Sequence, residues 1–229
     1  MATAHLRVSA QDRRQQILAA ATELFARQGF QGTTTRQIAA RAGINEAIIF
    51  RHFPTKEELY WAIMDAKSRA GGGLQRLQES LRSGRDDVEV FAALAEKMLR
   101  RDSTMTRLLL FSALENHRLS QRFFRAHVAQ YYEALAEHIR AGIAAGRFRA
   151  VDPLLAARGF LGMVFYHFMI QELFGGKRFQ QFDPAAVGRT LAEIFMEGML
   201  PPGGNHAFRG SSRPSKAGKN GNQSETQSP

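Results

Sequence analysis

Cysteine is absent from all 229 residues, which excludes disulfides and thiolate metal sites and suits a reducing compartment. The opening stretch, MATAHLRVSAQDRR, has no apolar core of the kind an export signal carries, so a cytoplasmic location is expected. The longest strongly apolar run, FLGMVFYHFMI at 160–170, falls short of the roughly 18–20 residues a membrane span needs and contains His167. A buried helix with no membrane partner is predicted there. Catalytic signatures are missing as well. The sequence has no His-Glu-x-x-His run and no nucleophile elbow, and Glu133 with Glu137 or His138 reads as a helix surface. Gly71, Gly72 and Gly73 are not followed by Gly-Lys-Ser/Thr, so they form no phosphate-binding loop. No enzyme activity, cofactor or metal is expected.

What is present is a folded protein's share of hydrophobic residues, 44%, with a net charge of +10 and a pI near 10.6. A polyanionic partner is compatible with that sign, although nucleic acid and membrane surface both fit it. The excess is +3 over residues 1–67, +4 over 68–202 and +3 over 203–229, so charge is spread and a motif has to carry the argument.

That motif runs from Thr33 to Phe53, TTTRQIAARAGINEAIIFRHF. Thr34 and Gln37 have the spacing of a capping box, which starts a helix, and Gly43 after Ala42 supplies the left-handed residue that stops it. Asn45 offers an N-cap oxygen at once, and Ile49 and Phe53, four apart, share the inner side of the next helix. Two short helices joined by a glycine-containing turn are a helix-turn-helix, whose second helix can enter the major groove of DNA. On its outer side Arg51 suits guanine O6 and N7, Glu46 suits cytosine N4, and Ala47 or Ile48 suits a thymine methyl. Helical packing with no DNA partner is the competing reading of the pattern alone.

From Arg14 to Tyr60 the residues ILAAATELFARQGFQGTTTRQIAARAGI and NEAIIFRHFPTKEELY resemble the DNA-binding domain of the TetR family of bacterial transcriptional regulators, without a gap. The resemblance implies that Thr35, Phe50, His52 and Lys56 lie beside phosphates and Glu46, Ala47 and Arg51 beside bases. Thr34, Arg36, Asn45 and Ile48 complete the candidate DNA-contacting set. Glu46 stands where a basic residue is frequent, and Phe50 where a tyrosine often bonds a phosphate. The resemblance further implies repression as the usual mode, and release from DNA by a small molecule held among the C-terminal helices.

Along the chain, a bracing helix is predicted from Ser9 or Asp12 to Gly29, and a fourth helix opens at Thr55 with Lys56, Glu57 and Glu58. A kink or hinge is expected at Gly71–Gly73. Helical patterns then fill the stretch to residue 200, one ending near Asn116 and one running from Ser120 to about Gly146, roughly 40 Å at 1.5 Å per residue. Asp152 and Pro153 start a helix reaching Phe174 that is apolar around almost its whole circumference, which predicts burial on every side, partly by a second subunit. The last helix, Pro184 to Met199, completes such an interface.

The expected fold is therefore all-α, with a three-helix DNA-binding unit at 9–54, a connecting helix at 55–84, a helical effector-binding and dimerisation unit at 85–200, and a disordered basic tail at 203–229. Phe91, Met98, Phe111, Phe124, Tyr131, Phe165, Phe168 and Met169 are the candidate lining of a mainly apolar effector site, with His117, His138, His167, Glu115 and Glu172 as candidate polar contacts. The partners expected are a double-stranded DNA operator with inverted half-sites, a hydrophobic small molecule and a second copy of the chain. A DNA-binding helical protein without an effector is the alternative.

Overall fold

The computed structural model describes residues 9–69, 72–115 and 118–201. Expectations for residues 1–8, Gly71, Asn116, His117 and the tail at 203–229 lie outside these. Among the described residues there are helices and no strand.

The chain opens with α1, Ala10–Gln28, capped by the Ser9 hydroxyl, which accepts from the Asp12 amide. The short helices α2, Thr35–Ala42, and α3, Glu46–His52, follow, then α4, Lys56–Arg69. The expected connecting helix is two helices, because Gly72 takes a left-handed conformation and α5, Gly73–Arg82, starts anew. Next come α6, Asp87–Leu99, and α7, Thr104–Leu114. The long helix expected from Ser120 runs without a break as α8, Arg118–Phe123, a π turn over Phe124–Val128, and α9, Ala129–Ala144. Asp152 and Asp183 cap α10, Pro153–Glu172, and α11, Pro184–Met199, each with proline in the first turn.

Two apolar cores result. The first gathers Ile17, Ala21 and Phe25 of α1, Ile38 of α2, Ile49 and Phe53, and Leu59, Tyr60 and Met64 of α4, and it also takes in Leu108, Leu119 and Phe123 of α7 and α8. Phe25, Phe30 and Tyr60 meet ring to ring there, at centroid separations of 4.9–5.8 Å. The second joins α6, α9, α10 and α11 around Phe91, Phe160 and Phe195.

Within one chain, helix α10 is covered on one side only. It buries a stripe, Ala157, Phe160, Leu161, Val164 and Phe168, while its other side faces outward, with Leu155, Phe165 and Tyr166 in solvent. Among the described residues no element covers that side. The helix is also long and apolar enough, at 20 residues and mean hydropathy 1.4, to match a membrane span by composition, because Leu154 to Ala157 lengthen the run at 160–170. Its stripe is nevertheless packed on α6, α9 and α11.

Candidate nucleic-acid interface

The turn between α2 and α3 is built by local bonds. Gly43, at φ 64°, lets its amide reach Ala40 O at 3.2 Å while the Ile44 amide reaches Ala39 O at 3.0 Å, closing α2 with a Schellman pair. Thr34 and Gln37 form the reciprocal capping box at the other end, and Asn45 Oδ1 accepts from the Ala47 amide at 2.8 Å. Helix α1 braces the unit from behind. Gln16 Nε2 donates to Ala42 O at 2.6 Å, and the Arg14 guanidinium lies 4.9 Å from the Phe53 ring centre.

The outer surface carries Thr34, Arg36, Asn45, Ala47, Phe50 and Arg51, all exposed, with Phe50 44% exposed. Thr35 and Glu46 are half-buried and bonded to each other, Thr35 Oγ1 donating to Glu46 Oε1. The two groups therefore satisfy one another across α2 and α3 before any partner arrives. Ile48 is half-buried against the first core. His52 is half-buried beside Phe53.

Lys56 departs most from its expected place. Its Nζ donates to Phe30 O at 2.9 Å and Thr33 O at 3.0 Å and sits 4.2 Å from the Phe30 ring centre. The ammonium thus braces the α1–α2 turn from within. Two carbonyls of the turn and a ring face together hold the cation on the inner side.

The candidate effector residues are not brought together. Phe91 and Phe168 are buried in the second core, Phe111 stands near Gly29 and Arg107, Phe124 is exposed beside Tyr132, and Phe165 is on the outer face of α10. Met98 and Met169 are half-buried, Met98 against the second core. Tyr131 alone of the eight borders either of two hollows among the described residues, a small one of about 230 Å³ beside Gly72, Gly73 and His127. The larger one, about 710 Å³, is a groove between α5 and α9, floored by Leu74, Leu81 and Ala134 and edged by Arg82, Glu133, Glu137 and His138. Helical periodicity identified apolar faces; it does not tell which of them fill a core.

The polar candidates also have other partners. Glu115 Oε2 accepts from the Phe30 and Gln31 amides, His138 Nε2 meets Asp87 Oδ1 at 2.6 Å, and Glu172 pairs with Lys177. His167 packs edge-on against Phe182, and burial lowers its pKa. Sequence reasoning missed the role of Glu115 because its partners lie 85 and 84 residues away, beyond any local signal.

Residues 17–63 match the family described as bacterial regulatory proteins, tetR family, and residues 88–197 match the C-terminal domain of AefR-like transcriptional repressors. The chain belongs to the TetR family. Among relatives, it is 36% identical over 119 residues to the HTH-type transcriptional repressor Rv3405c of Mycobacterium tuberculosis, covering 52% of this chain and 56% of that one. It is 25% identical over 162 residues to the nucleoid occlusion factor SlmA of Photobacterium profundum, covering 67% and 80%. The chain thus spans about half the length of the first of these curated relatives. Among solved structures, NalD of Pseudomonas aeruginosa, the secondary repressor of the MexAB-OprM multidrug efflux pump, superposes with a TM-score of 0.66 at 22% identity, covering 84% of this chain and 98% of that one. FadR of Bacillus subtilis, in complex with stearoyl-CoA, superposes with a TM-score of 0.59 at 21% identity, covering 81% and 98%. These two establish the TetR-like fold.

Proposed function

We propose that the protein is a dimeric, DNA-binding transcriptional regulator, a repressor released from a palindromic operator by a small, mainly apolar effector. The observation that carries the DNA-binding part is the α2–α3 unit itself. Its inner residues are sealed by bonds from α1, while Ala47, Phe50 and Arg51 stand outward on a helix of groove-fitting size. In this reading Arg51 and Ala47 read bases, and Thr34, Arg36 and Phe50 lie against the backbone. Lys56 serves by holding the α1–α2 turn.

Dimerisation is supported by the uncovered face of α10 and α11. Tyr166 is 67% exposed and Ile194 56%, and Gly159, Gly162 and Gly198 have nothing within 4 Å of where a Cβ would stand. Glycines on a flat apolar helix face allow another helix backbone to come close. The unit boundaries 9–54, 55–84 and 85–200 belong to the same proposal.

The effector site of this reading is the groove between α5 and α9, whose lining starts at Leu74, just past the left-handed Gly72. An effector that prefers the DNA-incompetent state tenfold supplies about 1.4 kcal/mol of coupling, and DNA must weaken its binding equally. The second reading, a DNA-binding protein with no effector, is favoured by one observation, that Phe91 and Phe168 are buried in the second core and border neither hollow described above. Titrating a panel of hydrophobic compounds by calorimetry, with and without operator DNA, separates the two. DNA binding itself is tested by selecting bound fragments from a random duplex library. An inverted repeat is expected, and enrichment of no sequence would contradict the proposal.

A further inference from the structure

Helix α7 meets the DNA-binding unit at the turn that follows α1, and it does so with charged side chains. Gly29, at φ 75°, ends α1, and a Cβ there would stand 2.2 Å from Glu115 Oε1 and 3.0 Å from Phe111 Cδ1. The positive φ favours glycine here, and a Cβ would displace the Glu115 carboxylate from its place. Just beyond it, the Phe30 and Gln31 amides each donate to Glu115 Oε2 at 3.1 Å. Further up the same helix, Arg107 Nε donates to Ala26 O at 2.6 Å. Helix α7 and its cap residue thus supply an acceptor for two amides of the turn and a donor for a carbonyl in the last turn of α1, which has no intrahelical partner.

The turn held in this way sets what comes next. Lys56 grips Phe30 O and Thr33 O from the α4 side, Thr33 Oγ1 donates to Gly29 O at 2.8 Å, and Thr34 then caps α2. Thr35 in α2 is bonded to Glu46 at the start of α3. A continuous run of directional bonds therefore leads from α7 to the recognition helix. Apolar faces can slide over one another, whereas two amides sharing one carboxylate oxygen fix a position.

We propose that Glu115, assisted by Arg107, is a positioning residue for DNA recognition. It ties the α1–α2 turn to the C-terminal half and so fixes the separation of the two recognition helices in the dimer. This rests on the dimeric DNA-binding reading given above. Its consequence is that half-site spacing is discriminated through a residue that touches no DNA.

The test uses the full chain as wild type, Glu115→Gln and Glu115→Ala, with two readouts. Hydrogen–deuterium exchange reports the Phe30 and Gln31 amides. Fluorescence anisotropy reports affinity for the selected operator and for the same operator with one base pair inserted between half-sites. In Glu115→Ala both amides should exchange faster and affinity for the native spacing should fall by about tenfold, within the range usual for coupling between sites. The penalty for the inserted base pair should shrink several-fold, and Glu115→Gln, which keeps an acceptor, should recover part of each effect. Equal loss on both spacings, the result of a merely less stable unit, would overturn the proposal, as would faster exchange with unchanged binding. Failure of the wild type to bind any duplex would instead bring down the DNA-binding reading.

Discussion

Replacing Tyr60 with phenylalanine removes a single oxygen from the place where α4 meets α7. The hydroxyl donates to Leu108 O at 2.6 Å, and both residues are fully buried. A buried hydrogen bond contributes about 0.5–1.5 kcal/mol net, and stranding a buried partner adds up to about 1–3 kcal/mol. Here the stranding is partial, because Leu108 O lies inside α7 and also faces the amide one turn on. No cavity opens, since the ring stays against Phe25 and Phe30. The expected loss is therefore about 1–2 kcal/mol, in the middle of those ranges. Urea unfolding at fixed protein concentration, followed by the fluorescence of Trp61, the chain's one tryptophan, measures it at the same junction. A loss under about 0.3 kcal/mol would mean a solvated hydroxyl, and one above about 4 kcal/mol would mean lost packing; either refutes the reasoning. The pH dependence is a second check. Burial, then the Glu115 carboxylate, raises the Tyr60 pKa, so the folded state keeps a proton that the unfolded state releases. Stability from this group is full below its unfolded pKa of about 10 and declines above it, and the phenylalanine variant should lose that alkaline decline.

Three further outcomes follow from the structure. Ser112 is fully buried, and among the described residues its Oγ has no hydrogen-bond partner, so Ser112→Ala should leave stability unchanged or raise it by up to about 1 kcal/mol in thermal unfolding. Tyr166→Glu places a charge on the uncovered face of α10 and should shift the chain toward monomer in gel filtration with light scattering while the monomer's helical circular dichroism is retained. Arg51→Ala should cost about 1–3 kcal/mol on the preferred operator and relax one base position, whereas equal loss on every sequence would deny it a reading role.

Much of the fold was legible because its signals are local. Thr34 with Gln37, Gly43, Asn45, Asp152 with Pro153 and Pro184 each mark a helix end by chemistry confined to a few residues, and the structure places helix ends at all of them. The break near Gly72 was legible for the same reason. The π turn at Phe124–Val128 was not; it changes the phase of the helix, so that Phe123 is buried and Phe124, a candidate lining residue, is exposed. In the candidate site, which residues face outward on α3 could be read from periodicity, but how polar groups pair could not. Lys56 with Phe30 and Thr33, Thr35 with Glu46, and Glu115 with Phe30 are tertiary pairings. The apolar stripes posed the converse difficulty. Phe91 and Phe168 have the spacing of a binding face and the burial of a core, and only packing distinguishes the two.

The central claim is that two copies of this chain bind one operator together. Analytical ultracentrifugation of the free protein, and of the protein with the selected duplex, tests it directly. Twice the chain mass of 25.6 kDa, about 51 kDa, is expected for the free protein, and two chains or a multiple of two on each duplex. A single chain of 25.6 kDa, both free and on DNA, would contradict it.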